Sequence, residues 1–89
     1  MKRLRAVVRG RVQGVGFRAT AAAEARKLDL RGWVRNRTDG SVEVDAQGAD
    51  AALDAFVGFL HRGPNGPRVI SVDVEWLPPE LTAGTFETR

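Results

Sequence analysis

GRVQGVGFR, residues 10–18, stands where one hydrophobic period gives way to another. Upstream, Leu4, Ala6, Val8 and Val12 alternate with Arg3, Arg5, Arg9 and Arg11, the period-two pattern of a strand with one apolar face, and Val7 is the one apolar intruder. Downstream, Phe17, Ala21, Ala25 and Leu28 fall on one helical face, and Arg31-Gly32 marks that helix's end. Residues 10–18 therefore join a strand to a helix.

Further along, Gly32–Arg37 and Ser41–Gln47 are predicted strands joined through Thr38-Asp39-Gly40, and an Asp-Gly step between extended runs signals a hairpin. Leu53, Phe56, Val57 and Leu60 fall at i, i+3, i+4 and i+7, which predicts a second helix over Asp50–Arg62 that stops at Gly63-Pro64. Val69–Trp76 follows as a strand with Ile70, Val72, Val74 and Trp76 inward, and Thr85–Thr88 adds a short edge strand after Pro78-Pro79. The order is βαββαβ, an α+β ferredoxin-like fold with two helices on one face of an antiparallel sheet. Right-handed crossovers then put the first strand at the centre, between the third and the fourth.

At 89 residues, without internal repeat or linker, residues 1–89 are expected to form a single domain. Hydrophobic residues at 43% and charged residues at 28% are a globular composition. The absence of cysteine removes disulfides, thiolate metal sites and a thiol nucleophile, and is compatible with a reducing compartment. MKRLRAVVRG lacks the apolar run of a signal peptide and no stretch approaches a membrane span, so a cytoplasmic protein without membrane association is expected. A fold this small is expected to be a monomer.

Residues 1–37 carry eleven Lys/Arg against Glu24 and Asp29, a charge of +9, whereas the remainder of the chain sums to −6. Such asymmetry fits either an anionic partner at the front half or pairing between the halves. With the first strand central, outward Arg5, Arg9 and Arg11 are expected to meet Glu43, Asp45, Asp73 and Glu75 across the sheet, at a few tenths of a kcal/mol per pair. Pairing is the favoured reading, and it leaves Arg18 unexplained.

Gly14 and Gly16 allow the loop φ > 0, which turns its backbone N–H groups together at the start of a helix, an anion site by construction. Arg18 falls in the first helical turn, where a cation opposes the macrodipole, and an anion beside it reverses that penalty. A guanidinium engages phosphate or carboxylate oxygens two at a time. By themselves these nine residues fit equally a tight turn with a solvent-facing arginine.

GRVQGVGFR, followed by GWVRN and DGSVEV within residues 32–44 and by Gly63-Pro64, resembles the acylphosphatase family, and the resemblance covers nearly the whole chain. It implies metal-independent hydrolysis of acyl phosphates to carboxylate and inorganic phosphate. It also implies that the loop amides of Gln13, Gly14, Val15, Gly16, Phe17 and Arg18, with the Arg18 guanidinium, hold the phosphate. Asn36 then corresponds to the residue that orients the attacking water. Read alone, Asn36 is more simply a polar residue at a strand end entering a hairpin. Alternation places it on the face of Val34, opposite Arg35 and Arg37. Trp33 is expected to pack rather than stack on substrate, and Phe17 to anchor in the core with its amide toward the phosphate. The chemistry suits the residues present: a carboxylate leaving group needs no protonation, so no general acid is required, and phosphoryl transfer depends mainly on positioning and charge stabilisation.

The alternatives lack their own requirements. One histidine, His61, and no cysteine give no metal cluster at recognisable spacing, Ser41 and Ser71 have no plausible base, and neither nucleotide-binding glycine motif is complete. No metal and no cofactor are expected. An RNA-binding module of the same layout needs aromatics on its central strands, but the outward positions here are Arg5, Val7, Arg9, Arg11, Ser41, Glu43, Asp45 and Gln47, so no nucleic-acid partner is expected. Acylphosphatase-like domains also occur at the front of larger carbamoyl-transfer maturation proteins. The end of this sequence at residue 89 favours the free-standing enzyme.

Overall fold

Two hydrophobic periods sort the described residues into five strands and two helices. The computed structural model describes residues 1–63, 68–80 and 84–89. Their order is β1 (Lys2–Arg11), α1 (Phe17–Lys27), β2 (Arg31–Asn36), β3 (Val42–Gly48), α2 (Asp50–Arg62), β4 (Arg68–Leu77) and β5 (Glu87–Thr88). Pro64 of the expected Gly63-Pro64 stop lies outside the described residues. The sheet order is β4-β1-β3-β2-β5, with β1 central and antiparallel to β3 and β4 as expected.

One face of the sheet is apolar because each strand alternates. Leu4, Ala6 and Val8 of β1 meet Val42, Val44 and Ala46 of β3, and all six are fully buried beneath the helices. Phe17, Ala21, Ala22 and Ala25 of α1 and Leu53, Phe56 and Leu60 of α2 close over them. Fully burying one such large side chain stabilises by about 1.5–3 kcal/mol, and the alanines let α1 approach the sheet closely.

The short last strand departs from the expectation of an antiparallel sheet. After β4 the chain returns to the opposite edge, and β5 pairs with β2 in parallel through Trp33↔Glu87 and Val34↔Thr88, so the sheet is mixed. Phe86 just ahead of it is fully buried and meets Phe56 edge-on, with ring centroids 6.0 Å apart. The Arg26 guanidinium donates two bonds to the Phe86 carbonyl, at 3.0 and 2.7 Å, which holds this strand against α1.

Gly32 does not end α1. Asp29 does, in a left-handed conformation of φ 62°, with the Asp29 and Leu30 amides donating to the Arg26 and Ala25 carbonyls. Gly32 lies inside β2, in keeping with the strand expected over Gly32–Arg37.

Ile70 is not inward as expected, and Trp76 is on the inward face but not buried. β4 has one residue too many where Arg9 faces Ser71 and Gly10 faces Val69. Ile70 is the extra residue, and the bulge turns it outward until it is 80% exposed. Trp76 keeps its place opposite Leu4, but at the outer edge of the sheet it is half exposed, with the Lys2 ammonium 5.6 Å from its ring centre.

The other sheet face carries the charge pairing. Arg3, which the expected pairing omitted, donates to both Asp45 carboxylate oxygens at 3.1 and 2.8 Å, and Arg5 adds a third bond at 3.0 Å. That hydrogen bond to Asp45, opposed by partial burial and helped by the Asp45 charge, raises the Arg3 pKa further. Arg35 holds Glu43 at 2.7 Å, and Arg9 reaches Asp73 only at 3.9 Å. Arg11 and Glu75 form no ion pair among the described residues, and Arg11 faces Arg68 across the ladder. Trp33 packs beneath the guanidiniums of Arg5, Arg35 and Arg89, 5.2–5.6 Å from its ring centre.

Candidate functional site: a glycine loop at the start of the first helix

β1 ends at Arg11, and Val12, 1% exposed, pins the chain to the core before it turns. Gly14 and Gly16 then adopt φ 76° and 77°, the left-handed region closed to most side chains. A methyl group at either position meets nothing within 4 Å, so open space lies over both glycines. Gly16 begins α1 without a side-chain cap and no acidic residue follows in the first turn. The first-turn N–H groups therefore face outward with no partner in the helix. Thr20 secures the turn, its amide and hydroxyl both donating to the Gly16 carbonyl at 3.1 and 3.0 Å.

A cavity of about 180 Å³ opens over this loop, lined by Val12, Gly14, Gly16, Phe17, Arg18, Ala19, Asn36 and Thr88. Arg18 is the charged residue among them, and its Nη1 donates to the main-chain oxygen of Arg89 at 2.9 Å. Phe17 is anchored in the core at 2% exposure, which leaves its backbone at the loop, as expected. Asn36 arrives from the end of β2, on the face of Val34 and opposite Val42. Its Oδ1 is buried without a hydrogen-bond partner. A buried oxygen of this kind is destabilising unless something binds it.

The structure thus brings Gly14, Gly16, Phe17, Arg18 and Asn36 together. Gln13 and Val15 belong to the same loop but do not line the cavity: Val15 projects at the tip, 37% exposed, and the Gln13 side chain turns to the β2–β3 hairpin. Sequence reading missed Thr88, because nothing in residues 84–89 announces a strand parallel to β2. His61 lies in the exposed last turn of α2, outside the cavity lining. Among the described residues, no group of three or more His, Cys, Asp or Glu is placed to hold a metal ion. No helix among them is long and apolar enough to cross a membrane.

A split βαβ sheet whose β1–α1 loop opens helix amides and Arg18 beside the Asn36 carboxamide defines an α+β protein with an anion-receptive cavity. The comparisons name the family. Residues 4–88 match acylphosphatase, and the chain belongs to the acylphosphatase family. It is 52% identical over 87 residues to the acylphosphatase of Anaeromyxobacter dehalogenans, covering 98% of this chain and 94% of that protein. The acylphosphatase of Thermococcus kodakarensis is 51% identical over 86 residues, covering 94% of each chain. The crystal structure of acylphosphatase from Bacillus subtilis superposes with a TM-score of 0.95 at 39% identity, over 100% of this chain and 99% of that one. The whole chain also matches 12% of T. kodakarensis HypF, with a TM-score of 0.84 at 30% identity. Its activity is that of an acylphosphatase, hydrolysis of the carboxyl–phosphate bond of acyl phosphates.

Proposed function

We propose that the amides of Gln13–Arg18 and the Arg18 guanidinium bind the phosphoryl group of an acyl phosphate while Asn36 orients the water that attacks it. The observation that carries this reading is the buried, unpartnered Asn36 Oδ1 in the same cavity as Arg18 and the open space over Gly14 and Gly16. A carboxamide oxygen accepts a hydrogen bond from the attacking water, aligning its lone pair with phosphorus opposite the leaving oxygen. Arg18 and the loop amides take the charge that builds on the three equatorial oxygens. Water's oxygen bonds to phosphorus as the bond to the carboxylate oxygen breaks, and the departing carboxylate carries off the electron pair. The transferred phosphate keeps both water protons, so an acyl phosphate dianion and water give a carboxylate and dihydrogen phosphate with charge balanced. Neither a general acid nor a metal has a required role.

The reading extends to residues 1–89 as a single acylphosphatase-like domain, supported by relatives whose own length the chain nearly spans. A monomeric, cytoplasmic protein without a nucleic-acid partner is the companion reading. Its support is composition, together with an open face on which β1 and β3 carry ion pairs and no aromatic and Trp33 of β2 is covered by Arg5, Arg35 and Arg89. The test is hydrolysis of benzoyl phosphate in excess chelator. Turnover undiminished by chelation is expected, and turnover that requires an added divalent ion contradicts the mechanism.

A further inference from the structure

The Asn36 carboxamide makes no hydrogen bond of its own among the described residues, so its direction rests on the backbone beneath it and on packing in the cavity. That backbone ends in the neck of the β2–β3 hairpin, where the Arg37 amide donates to the Ser41 carbonyl at 2.8 Å and the Gly40 amide donates to the Arg37 carbonyl at 3.2 Å. Those two carbonyls share one further partner. Gln13 Nε2 donates to the Arg37 oxygen at 2.8 Å and to the Ser41 oxygen at 2.9 Å.

Two carbonyl acceptors fix the orientation of the Gln13 amide, because only its NH₂ group supplies two donors. Gln13 is the residue just before Gly14, and the Arg37 it grips is the residue just after Asn36. One side chain therefore ties the phosphate loop to the strand end that presents the water-orienting group. A shift of about 1 Å in a positioned group lowers turnover by as much as a hundredfold, so a link across the two halves of the site acts on rate.

We propose that Gln13 is a positioning residue for hydrolysis, acting through its side-chain NH₂ on the hairpin neck to hold Asn36 in register with the phosphate loop. This rests on the role given to Asn36 above. A carboxylate at position 13 places negative charge against two carbonyls, and an apolar side chain leaves the neck unclamped. Phosphate binding uses loop amides and Arg18, neither of which needs the Gln13 NH₂, so the effect falls on kcat and not on affinity.

The test is a double-mutant cycle with benzoyl phosphate, using Gln13→Met, Asn36→Ala and the pair, each checked by circular dichroism. In the wild-type background Gln13→Met is expected to lower kcat about tenfold, with the inhibition constant of inorganic phosphate changed less than about twofold. In the Asn36→Ala background the same change is expected to leave kcat within about twofold, because the group it positions is gone. Equal losses in both backgrounds, or wild-type kcat for Gln13→Met beside an impaired Asn36→Ala, overturn the inference alone. Full activity of Asn36→Ala overturns the reading of the site as well. Should Gln13→Met fail to fold, Gln13→Glu enters the same cycle. The Asn36 side-chain NH₂ resonances, expected to shift and broaden in either Gln13 variant, give a readout apart from activity, and unmoved resonances contradict the link.

Discussion

Arg18 Nη1 donates to the main-chain oxygen of Arg89 at 2.9 Å, across the gap between the first turn of α1 and the residue after β5. One of its five donors is thus engaged by protein, and the planar group is oriented before any anion arrives. Lysine keeps the charge but not the fork. Arg18→Lys is expected to weaken inhibition by inorganic phosphate about tenfold and to lower kcat/KM by at least as much, measured with benzoyl phosphate.

Gly14 and Gly32 share a left-handed backbone but not their surroundings. A methyl group at Gly14 meets nothing within 4 Å, whereas at Gly32, φ 139°, it lies 1.8 Å from the Asp45 carbonyl oxygen. Gly14→Ala is expected to fold with a loss of about 1–2 kcal/mol and weaker phosphate binding. Gly32→Ala adds the collision to the strain and is expected to lose about 3 kcal/mol or more. Urea unfolding of both variants checks the order.

Asp45 accepts three bonds from Arg3 and Arg5 at 5% exposure, on the sheet face away from the loop. Asp45→Ala removes the carboxylate that Arg3 and Arg5 share, leaves Arg3 its 2.8 Å contact with exposed Glu80, and is expected to destabilise the fold by about 1–3 kcal/mol. The folded fraction keeps its kcat, because nothing in the cavity touches this network. Denaturation and turnover measured on one sample separate the two effects.

Asp39 Oδ1 accepts from the Ser41 hydroxyl and, at 3.0 Å, from its amide, and these bonds hold the carboxyl below its ordinary value of 3.8. A depressed folded pKa stabilises the native state above 3.8 and loses that contribution as pH falls through the lower folded value. The Tm of wild-type protein is therefore expected to exceed that of Asp39→Ala near neutrality, with the gap narrowing as pH falls below 3.8. A gap independent of pH contradicts this. Asp39→Asn, an acceptor without titration, is the control.

The strands, both helices and the Asp-Gly hairpin were legible because their signals are periodic and local. What escaped depends on contacts distant in sequence. Ile70 continues an alternation that breaks where Gly10, lacking a Cβ, lets the Arg68 carbonyl close against it and β4 carries one residue more than β1 opposite. Asp29 ends α1 in a conformation more usual for glycine, which drew attention to Gly32 instead. Two paired residues with Phe86 tucked ahead of them give β5 too little pattern to reveal its parallel partner. At the site, Gly14, Gly16, Arg18 and Asn36 were found in the motif and do share a cavity. Thr88 and the bonds of the Gln13 side chain were not, since both depend on which segment arrives opposite.

The most direct test of the site compares Arg18→Ala with Asn36→Ala in chelator, reading kcat on benzoyl phosphate and inhibition by inorganic phosphate in variants shown to be folded. Arg18→Ala is expected to lose both turnover and phosphate affinity, and Asn36→Ala to lose turnover while keeping affinity within about twofold. Equal loss of affinity in both, or wild-type turnover in either, contradicts the division between a phosphate cradle at Gln13–Arg18 and a water-orienting group at Asn36.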